Sequence, residues 1–242
     1  MRAVAESNLL VGTSGFGYKQ WRGHFYPTEL SEKQFLPFYS SRLRSVEINN
    51  SFYRMPRKEL LGTWASQVPD GFRFAIKASR RITHIGRMGD VADATELLLD
   101  NLQALGSSLG VVLFQLPPNL RSDLPRLGKF LELLGGRVPA AFEFRHDSWF
   151  RDDVLALLER HAAALCIGDP DDRAPTPPTV RTAPFCYVRL RKNQYTAEDL
   201  ALWAQRLQGL EARQVFVFFK HEQEAPRYAL ELQELWGAGS RS

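Results

Sequence analysis

The stretch Ala140–Phe150, "AAFEFRHDSWF", decides how this chain is read. It opens as the kind of apolar run that fills a buried strand, yet Glu143 and Arg145 stand two residues apart within it. Side chains alternate between the two faces of a strand, so this pair points to one side. On an interior face each ion costs several kcal/mol unless partners offset it. One architecture covers both faces of its strands and still gathers polar groups at their ends: the parallel barrel, whose strand C-termini meet at a single mouth.

Seven other runs share this character. They are "NLLVGTS" (8–14), "RSVEINNS" (44–51), "FRFAIKAS" (72–79), "GVVLFQLP" (110–117), "AALCIGD" (163–169), "FCYVRLR" (185–191) and "QVFVFFKH" (214–221). All are short, rich in aromatic or β-branched residues and nearly continuous in hydrophobicity, as strands covered on both faces are. Helical patterns fall between them. "SEKQFLPFYSSRL" starts at Ser31, with Gln34 at capping-box spacing. "DATELLLDNLQALG" sets Leu98, Leu102 and Leu105 on one stripe and stops at Gly106. Similar faces run through "SDLPRLGKFLELLGG", "RDDVLALLERHAA", "AEDLALWAQRLQGL" and "EAPRYALELQELWG". Only "PDDRAPTPPTVRTAP", between the sixth and seventh strands, is too rich in proline for a long helix and reads as an irregular loop.

Eight such alternations in 242 residues predict an α/β chain folded as a single (β/α)8 TIM-type barrel, one domain over residues 1–242. The competing doubly wound sheet lacks its signature, because "GTSGFG" at 12–17 does not have GxGxxG spacing and no clear helix follows it.

Composition narrows the function classes. The net charge is +4, but 31 basic residues face 27 acidic ones, which is no nucleic-acid signature by itself. Cys166 and Cys186 are too few for a disulfide framework and lack metal-ligand spacing, so both are expected as reduced core thiols. No apolar run approaches the ~18 residues of a membrane span. The opening "MRAVAESNLLVGTSG" holds too short an apolar stretch for a signal peptide. The expected setting is cytoplasmic, with no membrane partner. P-loop and HExxH motifs are missing from the sequence, and the one GxSxG match, "GSSLG" at 106–110, precedes a strand run instead of following one, so no nucleophile elbow is expected.

The strand ends carry the chemistry. Strand 2 supplies Glu47 and Asn49, strand 3 Lys77 and Ser79, and strand 4 Gln115. Strand 5 supplies Glu143 and Arg145, then His146, Asp147, Ser148 and Trp149. Strand 6 ends in Asp169, strand 7 in Arg189 and Arg191, and strand 8 in Lys220, His221 and Glu222. A self-satisfied structural ion network would explain any one of these residues, but the convergence of seven strands favours a pocket.

In the leading reading Glu47 and Glu143 are general acid or base, and Lys77, with Arg145 and Arg189, stabilises negative charge. Asn49, Gln115 and Asp169 orient the ligand. His84 lies on a strand-end loop able to fold over the mouth, Trp149 belongs to the rim, and Trp21 is either an aromatic lid or a plug. The expected partner is a small anionic or polyhydroxylated molecule, bound by a monomer or weak oligomer.

Three alternatives stand beside this. Glu47, Glu143 and Asp169, joined by His84 or His146, could hold a divalent metal as in barrel isomerases and nucleases, but interleaved Lys and Arg compete for those carboxylates. No metal and no cofactor is therefore expected. Two glutamates on separate strands also fit a glycosidase pair. The basic stretch "KASRRITHIGRM" (77–88) offers contacts to nucleic acid in a non-catalytic barrel, although a solvated loop is favoured there.

At these same residues the chain resembles a known family. "GTSGFGYKQWRGHFYP", "VEINNSFYRMP", "GFRFAIKASRRITH", "LGVVLFQLPPNL", "FEFRHDSWF" and "YVRLR", in this order, are similar to the YecE-like family, domain of unknown function 72. The resemblance runs from about Leu10 to Trp236 and implies a TIM-type barrel, with no established reaction, substrate or cofactor. Two stretches depart from the family pattern. Arg191–Lys192 stand where many members have a His–Gly pair, and "FFKHEQEAP" stands where many have an Asn-rich strand end.

Overall fold

Eight parallel strands pair in chain order and close on themselves, β8 returning to β1. They are β1 (Asn8–Ser14), β2 (Ser45–Ile48), β3 (Arg73–Lys77), β4 (Leu109–Gln115), β5 (Ala140–Glu143), β6 (Ala164–Gly168), β7 (Phe185–Leu190) and β8 (Gln214–Phe219). This computed structural model describes residues 8–169, 175–220 and 223–239. Each strand coincides with one of the eight apolar runs, and the expected (β/α)8 barrel is the fold observed.

Among the described residues seven α-helices accompany the strands: α1 (Phe35–Arg42), α2 (Lys58–Ala65), α3 (Ala92–Leu102), α4 (Leu124–Leu134), α5 (Asp152–Arg160), α6 (Ala197–Gln208) and α7 (Ala225–Gly239). Helix α4 shows how the local sequence makes them. The Asp123 side chain accepts from the Arg126 backbone N–H at 3.0 Å, capping the N-terminus. Pro125 occupies the first turn, where its missing N–H is harmless. Leu127, Phe130, Leu131 and Leu134 recur at helical spacing and are all buried. Gly135, at φ +57°, ends the helix in the left-handed conformation.

Between β6 and β7 the described residues 175–184 contain no helix or strand, as the proline content predicts. The Ser31–Gln34 capping box forms, with the Ser31 N–H donating to Gln34 Oε1 at 3.3 Å. It caps a short 3-10 turn that leads into α1. Among the described residues no helix is long and apolar enough to cross a membrane.

Strand alternation divides the core in two. Outward residues such as Val46, Ile48, Phe74, Ile76, Val112 and Phe114 pack under the helices. Inward residues, including Leu10, Ala75, Val111, Leu113, Ala141, Cys166, Phe216 and Phe218, fill the barrel itself. Cys166 and Cys186 are both free and buried, one in each layer.

Candidate functional site

Two residues past the apolar inward layer, the strands change character. Ala75 is followed on the same face by Lys77, Leu113 by Gln115, Ala141 by Glu143 and Tyr187 by Arg189. Strand register brings these groups side by side: Ser14 lies opposite Glu47, and Gln115 opposite Glu143. Gly168 lies opposite Arg189. A Cβ at Gly168, whose φ is +147°, would fall 2.0 Å from the Arg189 carbonyl oxygen. Only glycine lets the backbone bearing Arg189 approach this closely.

Arg189 joins the two glutamates. One guanidinium nitrogen donates to Glu47 Oε1 at 2.9 Å and the other to Glu143 Oε2 at 2.5 Å. Glu47 is fully buried and saturated. Its Oε1 also accepts from Ser14 Oγ at 2.7 Å and Asn49 Nδ2 at 3.0 Å, and its Oε2 from the Tyr187 hydroxyl at 2.6 Å. Glu143 also takes Arg191 Nη2 at 2.7 Å and Gln115 Nε2 at 2.8 Å. Gln115 passes the network on, its Oε1 accepting from Lys77 Nζ at 2.8 Å. The Lys77 ammonium also sits 4.2 Å from the Phe52 ring centroid.

This geometry fixes protonation. Burial alone would raise both glutamates, but it is outweighed. Arg189, with hydrogen bonds from Tyr187, Ser14 and Asn49, holds Glu47 below its ordinary value. Arg189 and Arg191 hold Glu143 well below the usual carboxylate range. Lys77 moves the other way: burial, then the positive charge of Arg189, pushes its amine down to about 8 against the pull of the two glutamates. Burial, Lys77 and Arg145 together lower His84. Asp169 is raised, chiefly by burial.

Of the residues expected at the site, Glu47, Asn49, Lys77, Gln115, Glu143 and Arg189 form one connected network. Arg145 and His84 lie at its edge, both partly exposed, with the His84 ring 4.8 Å from Phe52. Asp169 accepts from the Tyr195 hydroxyl at 2.5 Å and lines a narrow cavity with Glu143, Arg189 and Arg191. Trp21 is buried but lines a separate, larger cleft at the ends of β1 and β8.

Trp149 is not brought to the network. It is fully buried among the residues under the helices, stacked at 4.6 Å on Phe144, and its indole N–H donates to the Leu120 carbonyl at 2.8 Å. The short turn after β5 carries the large ring toward an apolar neighbour, and Leu120 satisfies its polar atom. His146 Nδ1 accepts from the Ser148 N–H at 3.2 Å, within its own turn. His221 lies outside the described residues. Among the described residues no group of three or more His, Cys, Asp or Glu is placed to hold a metal.

Three contributors escaped the sequence reading: Ser14, Phe52 and Tyr187. Tyr187 had a signal, since it shares the parity of Arg189 in "FCYVRLR". Phe52 lies beyond its strand, in a 3-10 turn whose course the sequence does not dictate.

A family model described as "Protein of unknown function DUF72" matches residues 10–242. Among curated proteins, the chain is 28% identical over 150 residues to the UPF0759 protein YunF of Bacillus subtilis, covering 59% of this chain and 52% of YunF. It is 30% identical over 113 residues to the UPF0759 protein YecE of Escherichia coli K12, covering 46% of this chain and 42% of YecE. The match thus spans about half the length of these relatives or less.

Among solved structures, a DUF72 family protein of Thermotoga maritima superposes with a TM-score of 0.83 at 25% identity, covering 95% of this chain and 99% of the other. A DUF72 family protein of Enterococcus faecalis gives 0.81 at 21% identity, covering 95% of each chain, and supports the fold alone.

Proposed function

The chain belongs to the DUF72 family of proteins of unknown function, and on that premise we propose that it is a metal-independent barrel enzyme. It acts on a small anionic or polyhydroxylated substrate at the C-terminal mouth. One observation carries this reading: the network holds more cationic donors than its two carboxylates can use. Arg189 and Arg191 are both paired to glutamate, yet each keeps a buried Nε–H with no acceptor among the described residues. Lys77 spends its hydrogen bond on the neutral Gln115 amide. A buried donor without an acceptor costs about 1–3 kcal/mol, and with Lys77 the network sets three cations against two carboxylates, an excess of positive charge that favours an anionic ligand.

Glu47 and Glu143 are the acid/base candidates that the sequence offers. Held as carboxylates by arginine, they act instead as the fixed negative charges that position Arg189. Lys77 is then the group that moves a proton. With its amine at about 8, about a tenth is neutral at pH 7 and able to accept one. Because Arg189 occupies both glutamates, the site works without a divalent ion. The two free, buried thiols fit a reducing cytoplasmic setting.

The test is calorimetric titration of inorganic phosphate, citrate and a panel of phosphorylated and carboxylated metabolites into wild type and Lys77→Gln. Wild type is expected to bind at least one anion, unaffected by EDTA, and Lys77→Gln to weaken it at least tenfold. Equal affinities in the two proteins, or loss of binding with EDTA, would sink the reading.

A further inference from the structure

We infer that the substrate carries a sugar-like, polyhydroxylated portion beside its anionic group, and that Gln20, Asn193 and Gln223 form the subsite that holds it. This rests on the reading of the charged network as an anion site and adds the chemical class of the remainder of the ligand.

A cleft of about 660 Å³ opens at the same mouth, lined by Ser14, Gln20, Trp21, Asn193, Phe219 and Gln223 among others. That is the volume of a metabolite site rather than a packing defect. Its three amides come from separate segments: Gln20 from the turn after β1, Asn193 from the loop after β7 and Gln223 from the loop before α7. All three are exposed, and among the described residues none has a protein partner for its amide.

An amide presents two donors and an acceptor in a neutral group, which matches hydroxyls that each donate and accept. No acidic residue lines the cleft among the described residues. Trp21 and Phe219 border the cleft but are almost fully buried, so they fix its floor while the exposed amides face the ligand.

Two features tie the cleft to the charged network. Ser14 lines the cleft while its hydroxyl donates to Glu47 at 2.7 Å. Arg191, whose guanidinium meets Glu143 at 2.7 Å, stands two residues before Asn193 on the same loop. Lys220 itself lines the cleft, so a molecule seated among the amides has a cationic neighbour for a phosphate or carboxylate.

The experiment titrates inorganic phosphate, free glucose and a set of hexose and pentose monophosphates into wild type and a Gln20→Ala/Asn193→Ala/Gln223→Ala variant. The three positions are exposed, and an unchanged thermal midpoint verifies the fold. At least one sugar phosphate is expected to bind tenfold or more tighter than inorganic phosphate. The triple variant is expected to lose that advantage while keeping its affinity for phosphate itself. If no sugar phosphate exceeds inorganic phosphate, or the variant keeps the advantage, the sugar subsite is wrong and the anion site stands. If neither phosphate nor any sugar phosphate binds wild type, the anion site itself is wrong and this inference falls with it.

Discussion

The two halves of the barrel interior are built by the same strands under the same alternation, yet they hold opposite chemistry. Toward the strand N-termini the inward residues are Leu10, Ala75, Val111, Leu113, Ala141 and Phe216, a closed apolar plug. One inward position later the same strands deliver Lys77, Gln115, Glu143 and Arg189. Tyr187 spans the junction, its ring 5.3 Å from Phe218 below and its hydroxyl on Glu47 above. The plug excludes water from beneath the ions. That strengthens each ion pair and, equally, makes an unpaired charge expensive. The lower half supplies stability, and the upper half depends on it for electrostatic definition.

Breaking the upper half should therefore have the largest effect. Arg189→Met leaves two buried carboxylates without their shared cation and is expected to lose about 3–5 kcal/mol at neutral pH. The pH dependence identifies the cause. In wild type both glutamates are depressed, so their contribution is full above the unfolded value near 4.3 and is lost as pH falls toward the folded values. In the variant Glu47 keeps only neutral donors and Glu143 only Arg191 as a cation, so burial weighs more heavily on both, and acid neutralises the offending charges. Urea denaturation at pH 7, 6 and 5 should show the gap to wild type narrowing as pH falls. A constant gap would mean that Arg189 stabilises by packing rather than by charge.

Leu113→Ala, in the lower half, should cost about 3 kcal/mol through the cavity it leaves. Here the same denaturation series should give a gap independent of pH, with phosphate affinity unchanged from wild type. Loss of phosphate binding in this variant would show that the plug shapes the site instead of only insulating it.

How far this division was legible in the sequence follows from the same alternation. Where two polar residues sit two apart at a strand end, as Glu47 with Asn49 or Glu143 with Arg145, parity alone assigns them to one face. The eight strands were equally open, because continuous apolar runs have few other uses in a chain of this kind. Helix α2 was not picked out, since "KELLGTWA" buries only Leu61 and carries a glycine mid-helix. Trp149 illustrates the other limit. Its place after β5 made it a rim residue by sequence, but past the strand end no periodicity governs direction, and its ring went to Phe144. Ser14 was hidden for a related reason: a hydroxyl acquires a role only through register, here the pairing of Ser14 with Glu47.

The smallest effect is the one most closely tied to chemistry. Lys77 lies between the halves in character, a cation held by a neutral amide and an aromatic ring instead of a carboxylate. Its folded amine, at about 8, lies below the ~10.4 of an unfolded lysine, so over that interval the unfolded chain binds more protons. Stability owed to this residue must then rise with pH. Lys77→Met should be more stable than wild type at pH 7, by about 1 kcal/mol once partial solvent screening is allowed for, and the advantage should fade by pH 10. Denaturation midpoints of the two proteins across that range measure it directly. An advantage that persists at pH 10 would reflect better packing by methionine. One that vanishes would identify a lysine whose charge the fold tolerates at a loss, which is the condition under which an amine gives up its proton to chemistry near neutral pH.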